Sequence, residues 1–410
     1  MARLLDLHIH PSLKLYYLPF VAESFHAFVY TGKFRNPLAF QTQYLNIKDG
    51  PHKVMLCAHY VIENGFARDG LAWWVRALGK GLVPWWFRKL THGDHWETLL
   101  EMMDLLERSA VNTNRWVFGR GRRFKMVRSY EEIADLKANE IALIHAVEGS
   151  HALGSGPESN ESLEDFRRRI ERRVDYLFER GTAMITLAHF WDNMFSPQTD
   201  GTELRPAMVD GLPAGVPDEA LAKMKRADWK WDDPGRLAEA LARKMLSVGM
   251  LIDVAHTQEE ARARIYELCA EYRRPVVASH NGLQHYFDHE YNLSDKEILK
   301  IRELNGVIGL ILTRRWLSSP KRTLAEGGKG LDLMVENMLY LAELTGDLDV
   351  IGIGTDFDGL TDPMEDCIIP NHLNRLSEKM SRRFNDDEID RILYGNSLRV
   401  LKAGWGPRRT

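Results

Sequence analysis

Apolar residues fall into short β-rich runs, separated by polar loops and by longer segments whose apolar positions recur with helical spacing. Eight runs read as strands: Leu4 to His10, Lys53 to Tyr60, Ile141 to Val147, Ala183 to Ala188, Met250 to Ala255, Pro275 to Ser279, Gly306 to Leu312 and Val350 to Thr355. The segments between them carry start and stop signals. Leu237, Leu241, Met245 and Val248 form one apolar stripe, with Asp233 placed to cap, Pro234 at the first helical position and Gly249 just past the end. Thr257-x-x-Glu260 and Ser294-x-x-Glu297 have capping-box spacing, Ser162-x-x-Asp165 is a near variant, and Asn305-Gly306 suits the end of a helix. Alternating strand and helix predicts a parallel α/β fold, and eight such units predict closure into a (β/α)8 TIM barrel, one domain over 1–410.

Two stretches exceed what a minimal barrel requires. Residues 61–130 include Trp73, Trp74, Trp85, Trp86 and Trp96 beside many basic residues. They are expected to form a helical insertion packed on the barrel or on a second subunit, which would make a homodimer. A membrane-surface or substrate-lid role is the alternative, because Trp with Arg or Lys also suits an interface. Residues 190–233, rich in Pro, Gly and Asp, follow the fourth strand and are expected to be an active-site loop.

The composition is that of an ordinary globular chain: 410 residues, 44% hydrophobic and 27% charged. A net charge of −4 offers no general attraction to phosphate backbones or anionic lipid, so nucleic acid is not expected as a partner. Cys57, Cys269 and Cys367 lie far apart without CxxC spacing, which argues against a disulfide framework and a thiolate metal site. The amino terminus runs directly into the first strand and no later run is apolar enough to span a bilayer. A cytoplasmic protein without a stable membrane anchor is the expectation.

The ionisable residues cluster at strand ends. Asp6, His8 and His10 alternate along the first strand, which places them on one face. Glu148 ends the third, His189 the fourth, His256 the fifth, His280 the sixth and Asp356 the eighth, at the rim where barrel enzymes assemble their sites. Any one of them alone would read as a satisfied rim or core residue, as His145, His151 and His285 do. Imidazoles and carboxylates at six of eight ends form a ligand set that Zn(II) and similar ions accept.

The pieces Asp6-Leu7-His8-Ile9-His10, Glu148-Gly149-Ser150-His151, Thr186-Leu187-Ala188-His189, Ile252-Asp253-Val254-Ala255-His256, Val277-Ala278-Ser279-His280 and Gly352-Ile353-Gly354-Thr355-Asp356-Phe357-Asp358-Gly359 resemble, in order, the motifs of the membrane dipeptidase (renal dipeptidase) family of amidohydrolases. Gly395-Asn396-Ser397-Leu398-Arg399-Val400 resembles its closing helix. The resemblance implies a binuclear metal-dependent dipeptidase with two divalent ions, zinc first, with Mn, Co or Fe as alternatives. It implies one ion on His8 and position 10, the second on His256 and His280, and Glu148 bridging them. It further implies that His189 binds the scissile carbonyl oxygen and that Asp356 moves the proton required by the leaving amine.

The chemistry requires such a set. Two divalent ions sharing a water lower its pKa far below the bulk value of about 15.7, a single zinc already reaching ~7, so a bridging hydroxide is the expected nucleophile. The ions outweigh the charges of Glu148, Asp356 and that hydroxide, which favours a carboxylate-bearing substrate. Two departures matter. His10 stands where the family has Asp, giving the HxH pattern of other amidohydrolases, in which the last-strand Asp also touches a metal, so Asp356 is a candidate ligand as well. The family's substrate-carboxylate arginine should fall near Glu290 and Tyr291, where no arginine occurs. Arg314 and Arg315 after the seventh strand, and Lys14, are candidate replacements, with Asn193 a further polar contact beyond His189. The leading expectation is hydrolysis of a dipeptide or similar small amide. An N-acyl amino acid or a lactone is the alternative, and a non-catalytic binding barrel a third reading.

Overall fold

A computed structural model describes residues 2–17, 40–63, 87–88, 93–117, 121–190, 193–196, 199, 237–318, 330–359 and 364–406. Nine parallel strands occur among them: β1 (Leu4–Ile9), β2 (His52–Tyr60), β3 (Arg123–Met126), β4 (Glu140–Glu148), β5 (Thr182–Thr186), β6 (Leu251–Asp253), β7 (Val277–Asn281), β8 (Val307–Leu310) and β9 (Ile351–Ile353). The order β2-β1-β9-β8-β7-β6-β5-β4, with β2 pairing back to β4, closes an eight-stranded barrel. The eight expected strands are its staves. β3 was not expected: it pairs Arg123 to Met126 with Glu140 to Leu143, on the edge of β4 that β5 takes over from His145.

The barrel separates two apolar layers, as the alternation of strand side chains requires. Val54, Leu56, Ala142, Ile144 and Ala146 belong to one cluster, completed by Val400 and Leu401 of helix Asn396–Gly404 and by Trp405 just past its end. Met55, Cys57, Leu143, Val147 and Ile252 belong to the other, with Leu99 and Met103 of helix His95–Trp116 and Phe166 and Ile170 of helix Leu163–Glu179. Trp96 packs in this layer against Tyr176 at 5.7 Å, with Arg173 over its ring at 4.8 Å. Trp73, Trp74, Trp85 and Trp86 lie outside the described residues, as do most of 190–233 and the cap at Asp233 and Pro234. No described helix is long and apolar enough to cross a membrane.

The capping expectations divide. Ser294 and Glu297 form a reciprocal capping box, and Ser162 accepts from the Asp165 amide. The Thr257 box does not form: helix Glu259–Glu271 is capped one residue later, at Gln258, while the Thr257 carbonyl accepts from the buried guanidinium of Arg262. Gly249 ends helix Leu237–Val248 with φ +89°, and its carbonyl accepts from Gly406 N–H.

Glycines let three strand ends approach closely beneath the site. A Cβ on Gly354 would lie 1.7 Å from the Ser279 carbonyl oxygen, and one on Gly309 would lie 2.0 Å from the same atom. Gly354→Ala should therefore destabilise the protein by at least the ~1–3 kcal/mol typical of core overpacking. A urea-unfolding midpoint equal to wild type would show that these strand ends can part freely.

Candidate active site

Glu148 terminates β4 and is 2% exposed, yet five imidazoles surround its carboxylate. Nε2 of His8 lies 3.2 Å from Oε1, and Nε2 of His256 and of His280 each 3.4 Å from the same oxygen. Around Oε2 stand Nε2 of His10 at 3.5 Å and of His189 at 3.6 Å. The rings fall into two pairs: His8 and His10 place their Nε2 atoms 3.0 Å apart, and so do His256 and His280. Asp356 joins the first pair, its Oδ1 3.0 Å from His10 Nε2, with its side chain 15% exposed. The strand-end residues from β1, β4, β6, β7 and β9, with His189 beyond β5, thus meet at one place.

The opposite edge of the rings decides what they present inward. His10 Nδ1 lies 3.1 Å from the Ala58 carbonyl, which can only accept, so Nδ1 carries a proton and Nε2 is the atom turned toward Glu148 and Asp356. His8 and His280 both place Nδ1 on the Ser279 hydroxyl, at 3.1 and 2.7 Å. His189 directs Nδ1 at Glu63, 3.2 Å away, while the Tyr60 hydroxyl donates to the other Glu63 oxygen at 2.6 Å. Ring nitrogens facing a carboxylate across about 3 Å need a proton or a metal cation between them, and that donor set, imidazole with carboxylate, fits a divalent transition ion. His8, His10 and Glu148 form one group of suitably close ligand atoms, and Glu148, His189 and His256 another.

The electrostatics divide the rings. Burial opposes ionisation of Glu148, but His189, His8 and His10 hold it well below the usual carboxylate range. Burial likewise opposes charge on His8, and Glu148 outweighs it, raising His8 to about 9. On His280 burial prevails, helped by His8 and His256, and keeps the ring neutral. His189 is raised despite burial, by Glu148 and Glu63.

Other expected site residues lie elsewhere or are already engaged. Asp6 does not join the cluster: its carboxylate accepts from the amides of His8 and Thr355 and from the Thr355 hydroxyl, and His52 Nε2 lies 3.1 Å from it. A register shift in β1 between Asp6 and Ile9 interrupts the alternation that would have put it beside His8. The Asn193 Oδ1 accepts from the amides of Phe195 and Ser196, and its Nδ2 donates to Leu187 O. Arg314 pairs with Glu365 at 3.1 Å and Lys14 with Asp358 at 2.7 Å, while the Arg315 side chain is outside the described residues. Tyr291 is fully buried, its hydroxyl donating to His280 O at 2.5 Å and its ring 5.0 Å from His256. His145, His151 and His285 are accounted for outside the cluster: His145 between His59 and Glu107, His151 against Val61 O, His285 stacked on Tyr340. Glu63, Ser279 and Asp253 were not assigned roles from sequence. For Ser279 and Asp253 a signal existed, since polar residues in apolar strand runs need buried partners.

The chain is a closed parallel (β/α)8 barrel with this cluster at the carboxyl ends of its strands, the end at which barrel enzymes assemble their sites. Residues 223–404 match the model of the membrane dipeptidase family (peptidase family M19), the family that the motifs above resemble. An uncharacterized dipeptidase of Schizosaccharomyces pombe is 25% identical over 66% of this chain and 54% of its own length. Dipeptidase tcpJ of Claviceps purpurea is 22% identical over 68% of this chain and 55% of its own. The chain thus spans little more than half the length of these curated relatives. Two solved structures share the fold. A metallopeptidase from Rhodobacter sphaeroides, liganded with a phosphinate mimic of L-Ala-D-Ala, superposes with TM-score 0.66 at 17% identity, covering 98% of this chain and 99% of that one. The dipeptidase AC superposes with TM-score 0.63 at 18% identity, covering 99% of each chain.

Glu63 gives the site a pH-dependent element. Burial would raise it, but His151, His189 and the Tyr60 hydroxyl bring it down to about 2. A carboxyl depressed on folding stabilises fully above its unfolded value of about 4.3 and loses that contribution as pH falls through the folded one. Stability of metal-free protein should fall between about pH 4.3 and 2, less steeply in Glu63→Gln. Identical acid profiles for the two proteins would remove this role.

Proposed function

We propose that the chain is a binuclear metal-dependent dipeptidase that hydrolyses the amide of a dipeptide or a similar small carboxylate-bearing substrate. The carrying observation is the pairing of imidazoles about Glu148: His8 with His10, His256 with His280, each pair 3.0 Å apart at Nε2 and each facing the same carboxylate. One pair would hold each ion and Glu148 would serve both. Zinc is the first choice for such donors, with Mn, Co or Fe as alternatives. Bound there, the ions would supply an acidified water and polarise the scissile carbonyl.

The remaining residues have work that follows from position. His189, oriented through Nδ1 by Glu63 and favoured in its protonated form by Glu148 and Glu63, turns Nε2 toward the cluster, where the charged ring can donate to a carbonyl oxygen gaining negative charge. Asp356 reaches from the cluster to partly exposed space, so its Oδ1 can take a proton from the attacking water and deliver it to the leaving nitrogen. The family match and the dipeptidase names of the relatives support peptide hydrolysis. A second reading, hydrolysis of another small amide such as an N-acyl amino acid, or of a lactone, is favoured by one observation. Near the place expected for an arginine stands Tyr291, while Arg314 and Lys14 are each paired with a carboxylate.

Purified protein should carry about two equivalents of a transition metal, and chelation should abolish turnover that zinc restores. Protein that takes up no ion from zinc solution ends both enzyme readings. Dipeptides with L or D carboxyl-terminal residues, assayed beside N-acyl amino acids and lactones, separate the two: turnover of lactones alone defeats the peptidase assignment. Asp356→Asn should lower kcat by about 10²-fold or more. Near-normal turnover would remove Asp356 from proton transfer.

A further inference from the structure

Ser279 lies on β7 with no exposure, one residue before His280. Its hydroxyl oxygen stands 2.6 Å from Asp253 Oδ2, 3.1 Å from His8 Nδ1 and 2.7 Å from His280 Nδ1. The protons follow by elimination. Asp253 Oδ1 accepts from the amides of Ser279 and Ala255, at 2.8 and 3.1 Å. Its Oδ2 accepts from the hydroxyls of Thr186, at 2.5 Å, and of Ser279. With two donors on each oxygen the carboxyl has no place for a proton of its own, so the serine hydroxyl must donate to it. The two lone pairs of Oγ are then free to accept, and a ring nitrogen stands at each. Both rings must carry a proton on Nδ1, which leaves Nε2 as the atom each offers inward to a cation.

These rings belong to different pairs, His8 with His10 and His280 with His256. Asp253 itself lies near enough to His8 and His280 to make a third group of potential ligand atoms, but the Ser279 hydroxyl stands between all three and satisfies them. We propose that Ser279, locked by Asp253, is a positioning residue shared by both ion sites: one hydroxyl fixes the tautomer and tilt of one ligand in each, so that the two affinities change together. Separate partners on each histidine would let the sites be tuned independently. A single shared acceptor does not. The inference rests on the two-ion reading.

The test uses Ser279→Ala, which removes the hydroxyl, and Ser279→Cys, which keeps nearly the same volume but accepts hydrogen bonds poorly. Zinc affinity is measured by chelator competition, metal-free stability by thermal melting, and ring tautomers by nitrogen-15 spectra of histidine-labelled metal-free protein. Wild type should show Nδ1-protonated rings at His8 and His280. In Ser279→Cys both zinc equivalents should weaken together, by the ~10–100-fold typical of lost outer-shell partners, while the metal-free melting temperature stays near wild type. Weakening of one equivalent alone, unchanged affinity for both, or an Nδ1 without a proton at His8 or His280 in wild type would each overturn the proposal. Should Ser279→Ala fail to fold, Ser279→Cys and the wild-type spectrum still decide. Wild-type protein that binds no zinc would count against the dipeptidase reading, and the tautomers would still decide the role of Ser279.

Discussion

A single buried carboxylate ringed by five imidazoles is the interaction on which the rest of the site depends. Removing an ion such as Glu148 from water costs several kcal/mol, and that cost is offset only by positive charge or donors held close in good geometry. No helix or hairpin could bring residues so distant in sequence as His8, Glu148, His189, His256 and His280 to one point. A closed sheet can. Tyr60, Glu148, Thr186, Asp253 and Val277 are successive register partners across β2, β4, β5, β6 and β7. Residues at or just past that level therefore share the mouth of the barrel. Closure supplies the convergence, and register supplies the height.

Convergence alone would leave the rings free to turn. Their orientation comes from a second layer: the Ala58 carbonyl behind His10, Ser279 behind His8 and His280, and Glu63 behind His189. These partners are held in turn. Asp253 takes donors from β5, from β7 and from its own chain beyond β6, while Asp6 takes them from β1 and from the chain just past β9. Two buried aspartates thereby stitch neighbouring strands at the level of the cluster. The outer edges of His8, His10, His189 and His280 are thus each met by a partner.

How far this could be read from sequence follows from the range of each interaction. The eight staves and their polar ends were legible because alternation and strand length are local properties, and because imidazole and carboxylate in such places have few bland explanations. β3 was not, since four residues, Arg123–Met126, with one buried side chain carry no period. The Thr257 cap was misplaced by one residue because spacing alone cannot fix where the helical turn begins; here Gln258 holds the cap position by its backbone, with no side-chain bond to the amides. Asp6 was grouped with His8 and His10 because a shift of register inside a strand leaves no mark in the alternation. Ser279 and Asp253 stood in plain view within the motifs. Their role depends on which strands are neighbours and at what height, and that is a property of the closed sheet.

Backbone strain marks the same places. His256 and Asp356 have φ of +61° and +55°, in the left-handed region that costs a side-chain-bearing residue roughly 1–2 kcal/mol. Each lies three residues past the last paired position of a short strand, β6 or β9. The turns are pinned: Asp356 N–H donates to His8 O at 2.8 Å, and Thr199 N–H donates to His256 O at 2.7 Å. Asp358, also at positive φ, receives the amides of Gln41 and Thr42 and the Lys14 ammonium. Strain persists only where the surroundings over-determine it. Here the bend sets the His256 and Asp356 side chains against His280 and His10, whereas a strand continued in register would carry them onward along its own direction. Left-handed backbone at these two strand ends therefore places one member of the His256–His280 pair and the carboxylate beside His10, which ties the folding energetics directly to the geometry of the cluster.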